Sequence, residues 1–326
     1  MLIDTGPDEC RPGLAQRLHA LPLNGLGKRR IDLAVISHID HDHIGGAASL
    51  FADTSLGLEF GDIWFNAPKL APSRGVAEGA GLAAVLGSAA RGLPWNQALD
   101  GQDIVVPDKL FLEIPGNRGE PRITLLSPTR PRLDALYRVW GRELPKVNVK
   151  PEPEPLRVER GALDVPMLAA RSTAVDRARA NGSSIAFLLE HRGATALFTA
   201  DAFPTVLVPA LQALAAHRGI ALPWTLDLLK LSHHGSRANT TAQLMKVVRA
   251  TDTIVSTNGA IFGHPDAEGI ARVVHGCLPN SRIWFNYRTA TTEAWAADEP
   301  CLRFGYTAHF PQPSEQGVVV RLAARK

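Results

Sequence analysis

Ser37-His38-Ile39-Asp40-His41-Asp42-His43-Ile44-Gly45-Gly46 follows directly on the apolar run Asp32-Leu33-Ala34-Val35-Ile36-Ser37. The run reads as a strand buried on both faces, and the polar cluster begins where the strand ends. His38, Asp40, Asp42 and His43 fall within six residues, so a tight turn can aim several of their side chains at one point. Imidazole and carboxylate suit zinc or manganese. Gly45-Gly46 lets the backbone turn closely behind these ligands. A solvated turn ahead of a helix would also hold His and Asp, but two of each at this pitch favour a metal loop. His41 alternates away from the ligand side and reads as exposed or supporting.

Outward from this segment, short apolar runs alternate with helical stretches, the rhythm of a layered α/β protein. Gly61–Asn66, Ile104–Val106 and Ile123–Ser127 read as strands, and 76–91 as an Ala/Leu-rich helix interrupted by glycines. Pro145–Pro155 is too proline-rich for a helix and is expected to be extended. Residues 145–180 as a whole read as a long surface loop or an active-site flap. Ser184–Leu189 and Thr195–Thr199 flank His191-Arg192-Gly193, a hairpin signal. A helix is expected over 204–217 and a strand over Leu226–Leu231. A helix over 241–249, a strand over Asp252–Ser256, a helix over 266–275 and a strand over Ile283–Asn286 complete the pattern. Polar residues sit repeatedly just past strand ends, where open α/β folds place their sites.

Bulk properties narrow the class. The 326 residues carry 35 basic and 32 acidic side chains, a net charge of +3, too little to announce a nucleic-acid binder yet compatible with an anionic substrate. Cys10, Cys277 and Cys301 are few and far apart with no CxxC spacing, which argues for a reducing compartment and against a cysteine-built zinc site. The N-terminus lacks the pattern of a signal peptide and no apolar run reaches membrane-spanning length, so a cytoplasmic, non-membrane protein is expected. There is no P-loop, no GxGxxG and no Gly-x-Ser-x-Gly elbow.

The segment His38-Ile39-Asp40-His41-Asp42-His43 resembles the metal-binding signature of the metallo-β-lactamase superfamily, with Asp40 in place of the second histidine. That form is similar to the hydrolase domain of bacterial competence DNA-uptake channel proteins and to phosphorylcholine esterases. Further segments resemble that branch in the same order. They are Leu2–Gly6, Asn181–Ser184, Thr199-Ala200-Asp201-Ala202, Leu229–Ser236 and Gly263-His264-Pro265. The resemblance implies a single α/β domain over 1–326, a four-layer αββα sandwich. Where the family has a preceding hairpin this chain starts at its Leu2–Asp4 strand, through a misassigned start or a genuine shortening.

By the same resemblance two divalent ions, zinc or manganese, are expected. His38, Asp40, Asp42, His43, Asp201, His234 and His264 are the expected ligands, with Asp201 bridging both ions. Asp42, His233 and His264 are the candidates for the catalytic steps, His264 as either a ligand or a proton donor. Asp4 is expected to orient a ligand histidine. No histidine lies between His43 and His191, so the family's mid-chain ligand is missing and a carboxylate, water or substrate must complete that position.

The function implied is metal-dependent hydrolysis of a phosphodiester or nucleic acid, with Lys230, Arg171, Arg177, Arg179 and Arg237 available for phosphate contacts. One alternative is hydrolysis of a small ester, lactone, amide or thioester. A second is a degenerate domain that serves as an interaction partner, with an operon-encoded protein as its mate.

Overall fold

The computed structural model describes residues 1–68, 77–114, 120–140, 163–260, 262–313, 315 and 317–324. Among them the chain runs through β1 (Leu2–Ile3), α1 (Arg11–His19), β2 (Arg29–Val35), α2 (His41–Ile44), α3 (Ala47–Ala52), β3 (Leu58–Trp64) and α4 (Ala77–Leu86). Next come β4 (Leu112–Ile114), β5 (Arg122–Ser127), α5 (Arg130–Tyr137), α6 (Val165–Ala170) and α7 (Arg179–Gly182). The hairpin β6 (Ala186–His191) and β7 (Ala194–Phe198) leads to α8 (Pro204–Arg218), β8 (Trp224–Lys230), α9 (Ala242–Met245) and β9 (Val248–Val255). The chain closes with α10 (Ala267–His275), β10 (Ser281–Phe285), α11 (Ala290–Glu293), α12 (Asp298–Phe304) and β11 (Tyr306–His309). The fold class is mixed α/β with more than one sheet, as expected.

The described residues gather into two compact units, the first drawn from 1–105, 128–146 and 178–185, the second from 106–127, 147–177 and 186–326. In the first, β1, β2 and β3 form a parallel sheet in that order, in register Leu2↔Ala34 and Val35↔Trp64. Its core joins Ala34, Ile36 and Ile63 of the strands and strand ends to Leu50 and Phe51 of α3, Leu82 of α4, and Leu133 and Leu136 of α5. The expected strand at Ile104–Val106 is absent. Instead Ile104 is buried with its N–H donating to Asn66 Oδ1 (2.8 Å) while Asn66 Nδ2 donates to Ile104 O (2.8 Å). One side-chain amide thus satisfies the backbone that a ladder would have satisfied.

In the second unit eight strands lie in the order β11-β10-β9-β8-β7-β6-β5-β4. From β7 to β11 all neighbours are parallel, and from β4 to β7 all are antiparallel. The β6–β7 turn is two residues, Arg192 and Gly193, both at positive φ (49° and 75°), the geometry whose twist matches a hairpin. The core packs Leu207, Leu211 and Leu214 of α8 and Ile270 and Val274 of α10 with Leu226 and Leu229 of β8.

Two expectations are corrected here. The helix foreseen over 241–249 stops at Met245, because Trp224–Val248 pairing already draws the chain into β9. The long loop foreseen over 145–180 falls partly outside the described residues, as does all of Pro145–Pro155. Its remainder holds α6 and α7, with no regular structure between Arg171 and Ala178. Leu163, Val165 and Leu168 are buried in the core, and Asp164 caps α6 by accepting from Met167 N–H at 3.0 Å. Val165 and Leu168, three residues apart, bury one face of α6. Among the described residues no helix is long and apolar enough to cross a membrane.

Candidate functional site

In the first unit the candidate residues follow the C-terminal ends of adjacent parallel strands. β1 delivers Asp4, and β2 delivers Ser37 and His38. Asp4 sits at φ 54° with its N–H donating to Val35 O (2.8 Å). That left-handed turn brings its carboxylate under the start of the His/Asp segment. Ser37 N–H donates to Asp4 Oδ1 (2.7 Å), and Ser37 Oγ–H donates to Asp4 Oδ2 (2.9 Å). His43 Nδ1 lies 2.7 Å from the same Oδ2.

A carboxylate only accepts, so the proton sits on His43 Nδ1 and the lone pair on Nε2. Ser37 Oγ has already donated to Asp4, so it accepts from His38 Nδ1 at 3.0 Å. The same tautomer follows for His38. Both Nε2 atoms meet carboxylates of the segment: His38 Nε2 is 3.5 Å from Asp40 Oδ2, and His43 Nε2 is 3.8 Å from Asp42 Oδ2. The two rings lie 4.1 Å apart, centroid to centroid. Burial works against the Asp4 charge, but His43 and the Ser37 N–H outweigh it and hold the carboxyl below its ordinary value.

The segment is not one continuous loop. Asp40 precedes α2 and its C=O accepts from His43 N–H (2.9 Å), so Asp42 and His43 stand on a helical turn. His41 lies on the outer side and pairs with Glu78 at 2.7 Å. A Cβ on Gly45 would stand 3.0 Å from Pro7 Cα, so the close backbone approach expected at Gly45-Gly46 occurs at Gly45.

In the second unit, parallel β7, β8 and β9 end side by side and deliver Asp201, His233-His234 and Ser256. His233, His234 and Gly235 all have positive φ (47°, 54° and 87°). The two imidazoles therefore do not alternate to opposite sides as adjacent residues of an extended strand would, and both approach Asp201. His233 Nε2 is 3.6 Å from Asp201 Oδ2 and His234 Nε2 is 4.0 Å from Asp201 Oδ1. Three consecutive left-handed residues, two of them not glycine, are a strained arrangement held by its surroundings. His233 N–H donates to Ala200 O (2.9 Å), and Ser232 Oγ donates to Ala202 O (3.0 Å). His234 Nδ1 donates to Ser256 O (2.5 Å). His264 stands with its ring 5.0 Å from that of His233, and its Nδ1 is 3.6 Å from Asp266 Oδ2.

Two residues not foreseen from the sequence belong to this cluster. Asn239, buried, accepts from His233 Nδ1 (3.0 Å) and donates from Nδ2 to both Asp176 Oδ2 and Asp201 O (3.1 Å each). Asp176 Oδ2 also lies 3.4 Å from His233 Nδ1. Burial lowers the His233 pKa, but Asp201 and Asp176 on its two sides outweigh burial and raise it to about 9. Of the basic residues considered for phosphate contacts, Lys230 donates to Leu231 O (3.0 Å), and Arg171 and Arg237 share Glu268 (3.5 and 3.6 Å). Arg177 and Arg179 are exposed.

The donor chemistry in both units suits a divalent cation. His38, His43 and His234 have Nδ1 engaged by a hydrogen-bond acceptor, the arrangement that fixes the tautomer of a ligand histidine and raises the basicity of Nε2. Carboxylates lie within 4.0 Å of each of these Nε2 atoms.

The chain was also compared with known proteins. No curated protein matches it. Residues 1–118 match the family model described as the metallo-beta-lactamase superfamily, whose fold the mixed α/β architecture is consistent with, and a metal-dependent hydrolase is the activity class that this match suggests.

Proposed function

We propose that this chain is a metal-dependent hydrolase with a dinuclear centre that activates water, acting on a phosphodiester or nucleic-acid substrate. Zinc or manganese ions bound there would supply a water of lowered pKa and positive charge at the substrate oxygens. The ligands proposed are His38, Asp40, Asp42, His43, Asp201 and His234, with His264 either a further ligand or the group that protonates the leaving oxygen. A set this rich in carboxylate favours manganese over zinc relative to an all-histidine site.

The observation that carries the reading is the hydrogen-bond chain His38 Nδ1–Ser37 Oγ–Asp4 Oδ2–His43 Nδ1. It sets two neighbouring imidazoles in one tautomer with their Nε2 atoms toward Asp40 and Asp42. A buried pair of histidines built only for packing has no need of a shared carboxylate.

The phosphodiester assignment rests on the Asp40 form of the segment and on the chain's slight basic excess. An anionic diester gains from a cation pair in both the bound and the transition state, whereas a neutral lactone gains only from carbonyl polarisation. Purified protein should contain up to two transition-metal ions per chain by elemental analysis. It should cleave bis-p-nitrophenyl phosphate only when reconstituted with manganese or zinc. Metal-loaded protein that ignores phosphodiesters and opens a lactone or thioester would move the substrate class. Protein that binds no metal, though folded, would end the enzymatic reading.

A further inference from the structure

The surroundings of His233 contain a second carboxylate–imidazole device that no motif announced. Asp176 comes from the irregular segment after α6, and Asn239 from the loop between β8 and α9. Asp176 lies 57 residues from His233 along the chain and Asn239 only six, and all polar atoms of the Asn239 side chain are spent on this cluster. Its Oδ1 receives His233 Nδ1, while its Nδ2 is shared between the Asp176 carboxylate and the Asp201 carbonyl.

We infer that Asn239 and Asp176 are positioning residues that clamp the His233 ring so that its Nε2 faces Asp201, making His233 a metal-ligating histidine alongside His234. The inference deepens the proposed dinuclear centre and rests on it.

Geometry carries the assignment. Nδ1 and Nε2 lie on opposite sides of an imidazole, so fixing Nδ1 between Asn239 Oδ1 (3.0 Å) and Asp176 Oδ2 (3.4 Å) leaves Nε2 directed at Asp201 Oδ2, 3.6 Å away. The arrangement parallels Asp4 on His43, where a carboxylate at Nδ1 likewise turns Nε2 toward an aspartate. A histidine present only to fill space on a strained backbone at φ 47° would not need two acceptors on one nitrogen.

The clamp is itself held. Arg272 on α10, buried, donates from Nη1 to Arg237 O (2.8 Å) and Thr240 O (2.9 Å), and from Nη2 to Arg171 O (2.7 Å) and Thr173 Oγ1 (3.1 Å). One guanidinium thereby ties the segment that ends in Asp176 to the loop that carries Asn239. Thr173 Oγ1 closes the same tie by donating to Arg237 O (2.9 Å). The fork geometry of arginine allows four such bonds at once, which a lysine cannot make.

Cobalt(II) is the probe for the test. Calorimetric titration of metal-free full-length protein gives its dissociation constant, and the visible absorption of bound cobalt reports the ligand geometry. Asp176→Asn and Asn239→Leu should each weaken cobalt binding by about 10- to 100-fold and change the absorption bands, since orienting partners of ligand histidines have effects of that size. Asp176→Glu should recover part of the loss. Thermal melts separate this from misfolding. Should Asn239→Leu unfold, the size-conserving Asp176→Asn alone decides.

Folded variants with wild-type affinity and spectra would overturn the clamp while leaving the metal centre standing. Wild-type protein that takes up no cobalt would remove the centre itself, and the clamp with it.

Discussion

At the scale of single residues, two aspartates carry different burdens. Asp4 accepts three hydrogen bonds, from Ser37 N–H, Ser37 Oγ–H and His43 Nδ1. Replacing one of its oxygens with an amide sets a donor against donors. Leaving a buried donor unsatisfied costs about 1–3 kcal/mol. Asp4→Asn should therefore lower unfolding free energy in urea by about 2 kcal/mol, and weaken metal binding as well. Asp201 differs, because its carboxylate faces the imidazoles of His233 and His234. Asp201→Asn should abolish turnover with little change in the urea midpoint. Near-normal turnover would reduce Asp201 to a structural role. The residue pattern after a buried strand made His38 and His43 visible, whereas Asp4, Asp201 and the His233-His234 pair were expected through the family resemblance of their segments. Asp176 and Asn239 were not visible, since their partners lie 57 and 6 residues away along the chain and neither sits in a periodic pattern.

At the scale of elements, the close fit of α10 against the His233–Gly235 turn matters most. A Cβ on Gly269 of α10 would stand 2.2 Å from Gly235 O and 3.1 Å from Gly235 C. Those are backbone atoms, which cannot swing aside as a side chain does. Gly→Ala inside a helix ordinarily gains about 0.5–1 kcal/mol, but overpacking of this kind costs about 1–3 kcal/mol. Gly269→Ala should therefore destabilise the chain and, by displacing the turn, weaken metal binding. Gly81 on α4 is the control, with nothing within 4 Å of its virtual Cβ. Gly81→Ala should be neutral or stabilising in the same melt, and equal behaviour of the two variants would refute the steric argument. Elements with a local signature were legible. The β6–β7 hairpin declares itself by two apolar runs around Arg192-Gly193, and α8 by its uninterrupted apolar face. α6 was hidden, because its packing depends on α10, more than ninety residues downstream, and the stretch before it reads as proline-rich and polar. The absent strand at 104–106 failed for a related reason: apolar residues predicted burial correctly, but Asn66 took the place of a strand partner.

At the scale of the whole molecule, any ion that binds the folded chain and not the unfolded one adds stability by mass action. A ligand at 100 times its dissociation constant adds about 2.7 kcal/mol. For a chain of 326 residues, at about 2.1 cal/mol/K of unfolding entropy per residue, that corresponds to a rise of about 4 °C in the midpoint of thermal unfolding. Each unit buries an apolar core of its own, so metal-free protein should still melt cooperatively. Manganese or zinc titrated into chelator-treated protein should raise the midpoint in steps that saturate with the calorimetric affinity, and excess chelator should reverse the rise. His43→Ala removes a proposed ligand, so its midpoint should start lower and respond less to added metal. Magnesium, which prefers oxygen donors in octahedral geometry, should shift the midpoint less than manganese at equal concentration. A flat response to every divalent ion, with the melt intact, would mean that the His/Asp clusters are structural and that the chain does not work through a metal.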